Sequence, residues 1–301
     1  MQKNSGQIYF ETFPGNGKIR VGHWRPETPA NGTVVLLHGR TEFIEKYTET
    51  IIELIQRRYE VWSMDWRGQG LSQKTFTKPR KGHIDKFETY LLDLEFFLNR
   101  VIKPQGIPPL LLAHSMGGHI AARALLEGHT KFRGLIITSP MFDLPFNCAK
   151  KSCVKLAVRL GNMVGMGEKF VTGTGEYNSK RIHFDGNALT GDRARFDAVH
   201  QTISKQPNLA LGGPTFGWLD AAFRSIKLLK SIPPPPTYPC PVLVCTATRD
   251  TVVSVGMQAE LCAKHKWQQV HFPNARHELL QETDPIRNHF WKTFDQFTAC
   301  I

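Results

Sequence analysis

Residues 110–126 read LLLAHSMGGHIAARALL. Leu110 to Ala113 is a short apolar run of the length and bulk of a buried strand. After the turn His114-Ser115-Met116-Gly117, apolar and small residues recur at helical spacing. A strand that passes into a helix this abruptly needs small neighbours, and Gly117 and Gly118 supply them while Ser115 stands at the bend. The same order occurs upstream. Val34 to Leu37 runs into His38-Gly39-Arg40 and a helical pattern from Glu45 to Arg58, and Val61 to Met64 runs into Asp65-Trp66-Arg67-Gly68. Downstream, Leu135 to Thr138 ends at Ser139-Pro140. Short apolar strands alternating with amphipathic helices predict an α/β protein, with a mostly parallel central sheet covered by helices on both faces.

Phe87, Tyr90, Leu91, Leu94, Phe97, Leu98, Val101 and Ile102 share one helical stripe, and Pro104 is placed to stop that helix. After Pro140 the alternation lapses. The chain becomes Gly-rich, basic and helical without strands, and strands resume at Val242 to Thr246 after the prolines at 233–236. That shift predicts a core of residues 1–140 and 236–301 carrying an inserted helical cap over 141–235, with the prolines as a stiff return. A strand from Gln269 to Phe272 and a closing helix from Pro285 to Phe297 complete the pattern.

At 301 residues, 41% of them hydrophobic and 21% charged, the chain can bury a large core without metals or disulfides. The N-terminus lacks the apolar core of a secretory signal, and no run approaches the roughly 18 apolar residues of a membrane span, so a cytoplasmic location is expected. The six cysteines, Cys148, Cys153, Cys240, Cys245, Cys262 and Cys300, show no CxxC pair and no zinc-finger spacing, so free thiols are expected. A formal charge of +12 implies attraction to polyanions. No nucleic-acid motif accompanies it, and no nucleic-acid partner is expected.

The turn at Ser115 has the form of a G-x-S-x-G nucleophile elbow, with Ala113 in place of the first glycine. Alone, the short match favours an ordinary serine at a helix start. Chain order adds weight, because the α/β-hydrolase fold presents serine, acid and histidine in that sequence, each at or just beyond the end of a strand. Asp250 lies four residues after its strand in VLVCTATRD, and His277 follows the last strand in HFPNARHELL. Asp143, after the preceding strand, is the competing acid. His265, His271 and His289 fall within predicted helices or a strand and are weaker bases. In this reading His277 takes the Ser115 proton and Asp250 fixes the imidazole tautomer. Backbone N–H groups of Met116 and Arg40 form the oxyanion hole. His38 and His114 are expected to be structural.

Taken together, LLHGRTEFIEKY (36–47), SMDWRGQGLS (63–72), GHIDKFETYLLDL (82–94), LLLAHSMGG, NALTGDRARF (187–196) and GGPTFGWLDAA (212–222) cover nearly the whole chain. With the Asp250 and His277 loops, they resemble the monoacylglycerol lipase and bacterial lysophospholipase branch of the α/β hydrolases. The resemblance implies acyl esters of glycerol or glycerophospho head groups as substrates, with no cofactor and no metal. A small-molecule carboxylesterase or a serine peptidase would use the same triad, and a non-catalytic binding protein would not need all three residues.

The cap carries 13 Lys and Arg against 7 Asp and Glu. Lys151, Lys155 and Arg159 recur every four residues on one helical face. A solvated face is the common fate of such a run. Over a lipid-ester site it would instead give weak peripheral contact with an anionic membrane. Phe142, Phe146, Leu156, Leu160, Met163, Val164 and Met166 could line an acyl channel, but most of them are expected to form the cap's own core.

Overall fold

The computed structural model describes residues 6–74, 81–103, 106–129, 131–146 and 148–301, without the side chains of 148–150. Pro104 and the Cys148 side chain lie outside the described residues.

Eight strands form one sheet: β1 (Gln7–Phe13), β2 (Gly17–Trp24), β3 (Gly32–Leu37), β4 (Tyr59–Met64), β5 (Leu110–His114), β6 (Gly134–Thr138), β7 (Val242–Ala247) and β8 (Gln268–Phe272). Their spatial order is β1-β2-β4-β3-β5-β6-β7-β8. From β4 through β8 every pairing is parallel, and β1 and β2 add an antiparallel hairpin at one edge. The helices are α1 (Thr48–Gln56), α2 (Glu88–Phe96), α3 (Met116–Glu127), α4 (Cys148–Gly161), α5 (Arg193–Lys205), α6 (Phe216–Ser231), α7 (Val255–His265) and α8 (Asp284–Thr298).

Alternation along the strands divides the core into two layers. Val35, Leu37, Leu111, Ala113, Leu135, Ile137 and Val244 face α2, α3, α6 and α7, through Leu94, Ile120, Ala222 and Leu261 among others. Val34, Leu36, Leu110, Leu112, Ile136 and Leu243 face α1 and α8, through Ile51, Leu54, Phe290 and Phe294. Each such aliphatic side chain removed from water contributes about 1.5–3 kcal/mol before entropy is counted. This two-sided burial explains why the central strands read as unbroken apolar runs.

Each strand expected from Val34 onward is present, with ends shifted by one or two residues. The helix from Glu45 opens as a tight turn over Ile44–Tyr47, and the helix from Phe87 finishes in a wider turn over Phe97–Ile102. The β1–β2 hairpin has no counterpart in the sequence reading. Most of β1 is exposed, and β2 buries Arg20 against Glu45 and Asp65, so neither strand shows a clean apolar alternation.

Between β6 and β7 the chain forms α4, α5 and α6, and α4 packs on α6 with Phe146 beside Phe223. Phe142 is fully buried and Met166 packs partly into the core. Leu156, Leu160, Met163 and Val164 correct the expectation of a cap core, being 60%, 50%, 74% and 71% exposed. The helical pattern was real, but only its Val158 side is covered. No helix among the described residues is long and apolar enough to cross a membrane.

Candidate active site

Ser115 sits between β5 and α3 with φ +51° and ψ −112°, a backbone conformation that a residue with a Cβ occupies only under strain. Three hydrogen bonds hold the bend. Ser115 N–H donates to Thr138 O (3.0 Å), and Ser115 O accepts from the N–H of His119 (3.0 Å) and of Met141 (3.1 Å). The glycines have the role inferred for them. A Cβ on Gly117 would lie 2.6 Å from His38 O, and one on Gly118 would lie 2.3 Å from Ile137 Cγ2. The helix can therefore approach β3 and β6 this closely only without side chains at those positions.

Ser115, 8% exposed, is within 3.0 Å of His277 Nε2, and His277 Nδ1 lies 2.7 Å from Asp250 Oδ2. With Nδ1–H donating to Asp250, Nε2 is left as the acceptor for the Ser115 hydroxyl. Burial pulls the Asp250 carboxyl up, but its bond to His277 and the N–H groups of Val252 and Val253 outweigh burial and leave it below its ordinary value. It is therefore ionised near neutrality and can stabilise a charged imidazole.

Asp143, the competing acid, is engaged elsewhere. Lys151 and Lys230 both bind its Oδ2, and Leu144 N–H donates to its Oδ1. His265 binds Tyr238, and the His289 ring packs tilted against Phe272 at a ring distance of 4.6 Å.

Arg40 and Met116 flank the serine from two sides. Gly39 lies so close to Ser115 that a Cβ there would be 3.1 Å from the serine Cβ, and Met116 is the first residue of α3. Neither the Arg40 nor the Met116 backbone N–H donates to another described residue, so both are free to point at an oxyanion.

His38 and His114 are buried. His38 Nδ1 donates to Gly39 O at 2.7 Å, its Nε2 accepts from Trp66 N–H, and its carbonyl accepts from the Trp66 indole. His114 Nδ1 is 2.9 Å from Thr138 Oγ1, and burial pushes its pKa down to about 3, so it stays neutral.

The sequence reading overlooked a buried set of charges behind the Gly39-Arg40 turn. Glu42 accepts from Gly39 N–H and from the Tyr47 hydroxyl, and Lys46 bridges Glu42 (2.7 Å) and Glu278 (2.6 Å). Burial alone would raise the Glu42 carboxyl, but Lys46 and the nearby His114 hold it well below the usual range. Glu278 stays raised by burial and by Glu42. The signal available in the sequence was adjacency, since Glu42 lies near Gly39 and Glu278 directly follows His277.

The His277 loop is clamped by the segment between β6 and β7. His277 and Glu278 N–H donate to Ala188 and Leu189 carbonyls, and Arg276 Nη1 donates to Thr190 O. His83 of the GHID string also meets Thr215 of the GGPT string, at 2.9 Å.

Beside the site opens a cavity of about 620 Å³, lined among others by Arg40, Lys46, Arg181, Leu189, Phe196, Leu211 and Glu278. Ser115 and His277 are not among its described lining residues, and the cavity adjoins them through Arg40 and Glu278. No group of His, Cys, Asp and Glu among the described residues could hold a metal ion.

A mostly parallel sheet with Ser115 after β5, Asp250 after β7 and His277 after β8 has the layout of an α/β hydrolase. The family model described as "Serine aminopeptidase, S33" matches residues 28–284, and the chain belongs to that family. Within it the chain stands in the branch of ester-cleaving hydrolases that holds lysophospholipases and monoglyceride lipases. It is 30% identical to the probable lysophospholipase L2 of Haemophilus influenzae, over 96% of this chain and 93% of that one. To lysophospholipase L2 of Escherichia coli K12 it is 27% identical, over 85% of this chain and 76% of the relative. The crystal structure of a soluble variant of monoglyceride lipase from Saccharomyces cerevisiae, in complex with a substrate analog, shares the fold. Its TM-score is 0.74 at 20% identity, over 98% of this chain and 96% of that one.

Proposed function

We propose that the protein cleaves single-chain acyl esters of glycerol or glycerophospho head groups, as lysophospholipase or monoacylglycerol lipase. The observation that carries this reading is the unbroken relay from Ser115 Oγ through His277 to Asp250, 3.0 and 2.7 Å long. Ser115 attacks the ester carbonyl while His277 Nε2 takes its proton. The tetrahedral oxyanion is held by the Arg40 and Met116 N–H groups, each worth about 3 kcal/mol at such sites. His277 then gives the proton to the leaving alcohol, and an acyl-Ser115 intermediate remains. Water enters by the same route in reverse, with His277 again as base, and releases the fatty acid.

Residues 141–235 form the cap in this reading, over a core of 1–140 and 236–301. The exposed patch of Leu156, Leu160, Met163 and Val164, flanked by Lys155 and Arg159, supports weak peripheral contact with an anionic membrane.

The family description names a peptidase, whereas the relatives above are lysophospholipases, so the deciding experiment contrasts ester with amide. Lysophosphatidylcholine, a monoacylglycerol, a p-nitrophenyl ester and an aminoacyl amide are offered at equal concentration. The two lipid esters are expected to turn over fastest. Preference for the amide rejects the lipid reading, and preference for the p-nitrophenyl ester alone makes the protein a small-molecule carboxylesterase.

A further inference from the structure

The side chain of Arg40 has no place in the relay. Its guanidinium lies over the Trp218 ring, 4.7 Å from the centroid, and Nη2 donates to Gly212 O at 3.0 Å. Its Nε is buried with no partner, and among the described residues no carboxylate pairs with the group. Burial draws its pKa down to about 10 against a smaller opposing pull from Tyr90. A half-buried cation with one carbonyl and one aromatic face is left short of an anion, and its remaining donors form a fork suited to phosphate or carboxylate.

The cavity wall that includes Arg40 shows where such an anion would sit. The other basic side chains of that wall divide into committed and free. Lys46 is held by Glu42 and Glu278, and Arg195 by Glu49, Asp192 and Asp284. Arg181 has no ion pair among the described residues and stands exposed, as do Glu176 and Asp185 on the same wall. One free cation is half-buried and another is exposed.

We propose that this cavity is a head-group subsite for a phosphate-bearing substrate, with the Arg40 guanidinium as the side chain that recognises the phosphate. The inference rests on the ester-hydrolase reading and selects lysophospholipids over neutral monoacylglycerols. One residue then serves both ends of the substrate. The Arg40 N–H faces the ester oxyanion, and its side chain reaches a group set off from that ester by a three-carbon glycerol. A monoacylglycerol would bring only hydroxyls to the same place and leave the guanidinium unpaired.

The test compares wild type, Arg40→Gln and Arg40→Lys on lysophosphatidate and on a monoacylglycerol of the same acyl chain, below their aggregation limits. Because both substrates share the ester, any effect on the oxyanion turn cancels in the ratio of their kcat/KM values. Arg40→Gln is expected to lower that ratio about tenfold or more, and Arg40→Lys to restore part of it. An equal loss on both substrates overturns the proposal and leaves Arg40 a structural residue.

A second arm needs no turnover, and it measures binding of sn-glycerol 3-phosphate and of inorganic phosphate to Ser115→Ala by calorimetry, with and without Arg40→Gln. Tighter binding of the glycerol ester, weakened about tenfold by the substitution, supports a lipid head group as the source of the phosphate. Binding that ignores Arg40, or that favours inorganic phosphate, overturns it. A wild type that hydrolyses no ester rejects the hydrolase reading, while this arm still decides the subsite.

Discussion

The Lys46 ammonium lies 2.6 Å from Oε1 of Glu278, so the helical turn after Gly39 and Arg40 is joined to the residue following His277, 232 positions away. With Glu42 on its other side, Lys46 is a cation between two carboxylates, its side chain 5% exposed. Removing one partner of a buried pair usually costs more than the pair contributes, because a charge is left uncompensated. Lys46→Met is therefore expected to lose about 3–5 kcal/mol near neutral pH. The deficit should shrink as pH falls toward 5, since the carboxyl of Glu278 is already raised and protonation relieves the excess negative charge. Thermal unfolding of both proteins from pH 5 to 8 measures this, and a deficit independent of pH argues that water screens the site.

At Ser115 the strained backbone and the chemistry separate cleanly. Ser115→Ala should lose hydrolysis and fluorophosphonate labelling and stay folded. Ser115→Gly should be equally inactive but more stable than Ser115→Ala by about 1 kcal/mol, because glycine adopts positive φ without penalty. Labelling that survives in either folded variant would falsify the nucleophile assignment.

Asp250→Asn should reduce kcat by about 10⁴-fold, since an amide cannot hold the imidazole in the required tautomer and charge state. Asp143→Asn should stay within about tenfold of wild type. Its loss frees Lys151 and Lys230, not His277. A reversed order of the two variants moves the acid to the earlier strand.

His119 is fully buried, 2.6 Å from Ser225 Oγ, and burial pushes its pKa down to about 3. Below its unfolded value of about 6.5 the unfolded chain binds a proton that the native protein refuses. Stability is thus complete above that pH and declines as pH falls toward 3, by up to about 1.4 kcal/mol per pH unit for this one group. Guanidinium unfolding at pH 7 and pH 5 should show a smaller difference in His119→Gln than in wild type. An identical difference removes His119 from the account.

On α4 and the turn that follows it, Lys151 is tied to Asp143, while Met163 and Val164 are exposed. Replacing both Met163 and Val164 with Asp should lower sedimentation with phosphatidylglycerol vesicles more than Lys151→Gln does, without slowing turnover of a soluble ester. Vesicle binding that is equal in all three proteins makes the patch ordinary surface.

The central strands were legible because two-sided burial writes itself as an apolar run, and Ser115 because the elbow needs a fixed set of small neighbours. Asp250 and His277 followed from their order along the chain. Glu42 and Lys46 were hidden for a physical reason. At a spacing of four they look like a solvated helix pair, and only folding brings Glu278 to complete the buried bridge. Arg20 in β2 was obscured in the same way, as its burial depends on Glu45 and Asp65. Leu156 and Leu160 show the converse limit, since periodicity marks an apolar stripe without saying whether anything covers it.

β6 and β7 are hydrogen-bonded neighbours, Leu135 beside Val242, although a hundred residues of chain separate them. The segment between them leaves the sheet and returns to an adjacent position, so its ends are already joined whatever lies between. Closing a loop of twice the length costs only about 0.6 kcal/mol more. The scaffold that aligns Ser115 therefore tolerates lengthening of this excursion where it is exposed, but not rewriting of Met141, Ala188 and Leu189, which hold the Ser115 and His277 turns, or of Ala222, which packs into the core. The exposed positions Leu156, Leu160, Met163 and Val164 are where evolution, or a designer, can exchange side chains without renegotiating the fold.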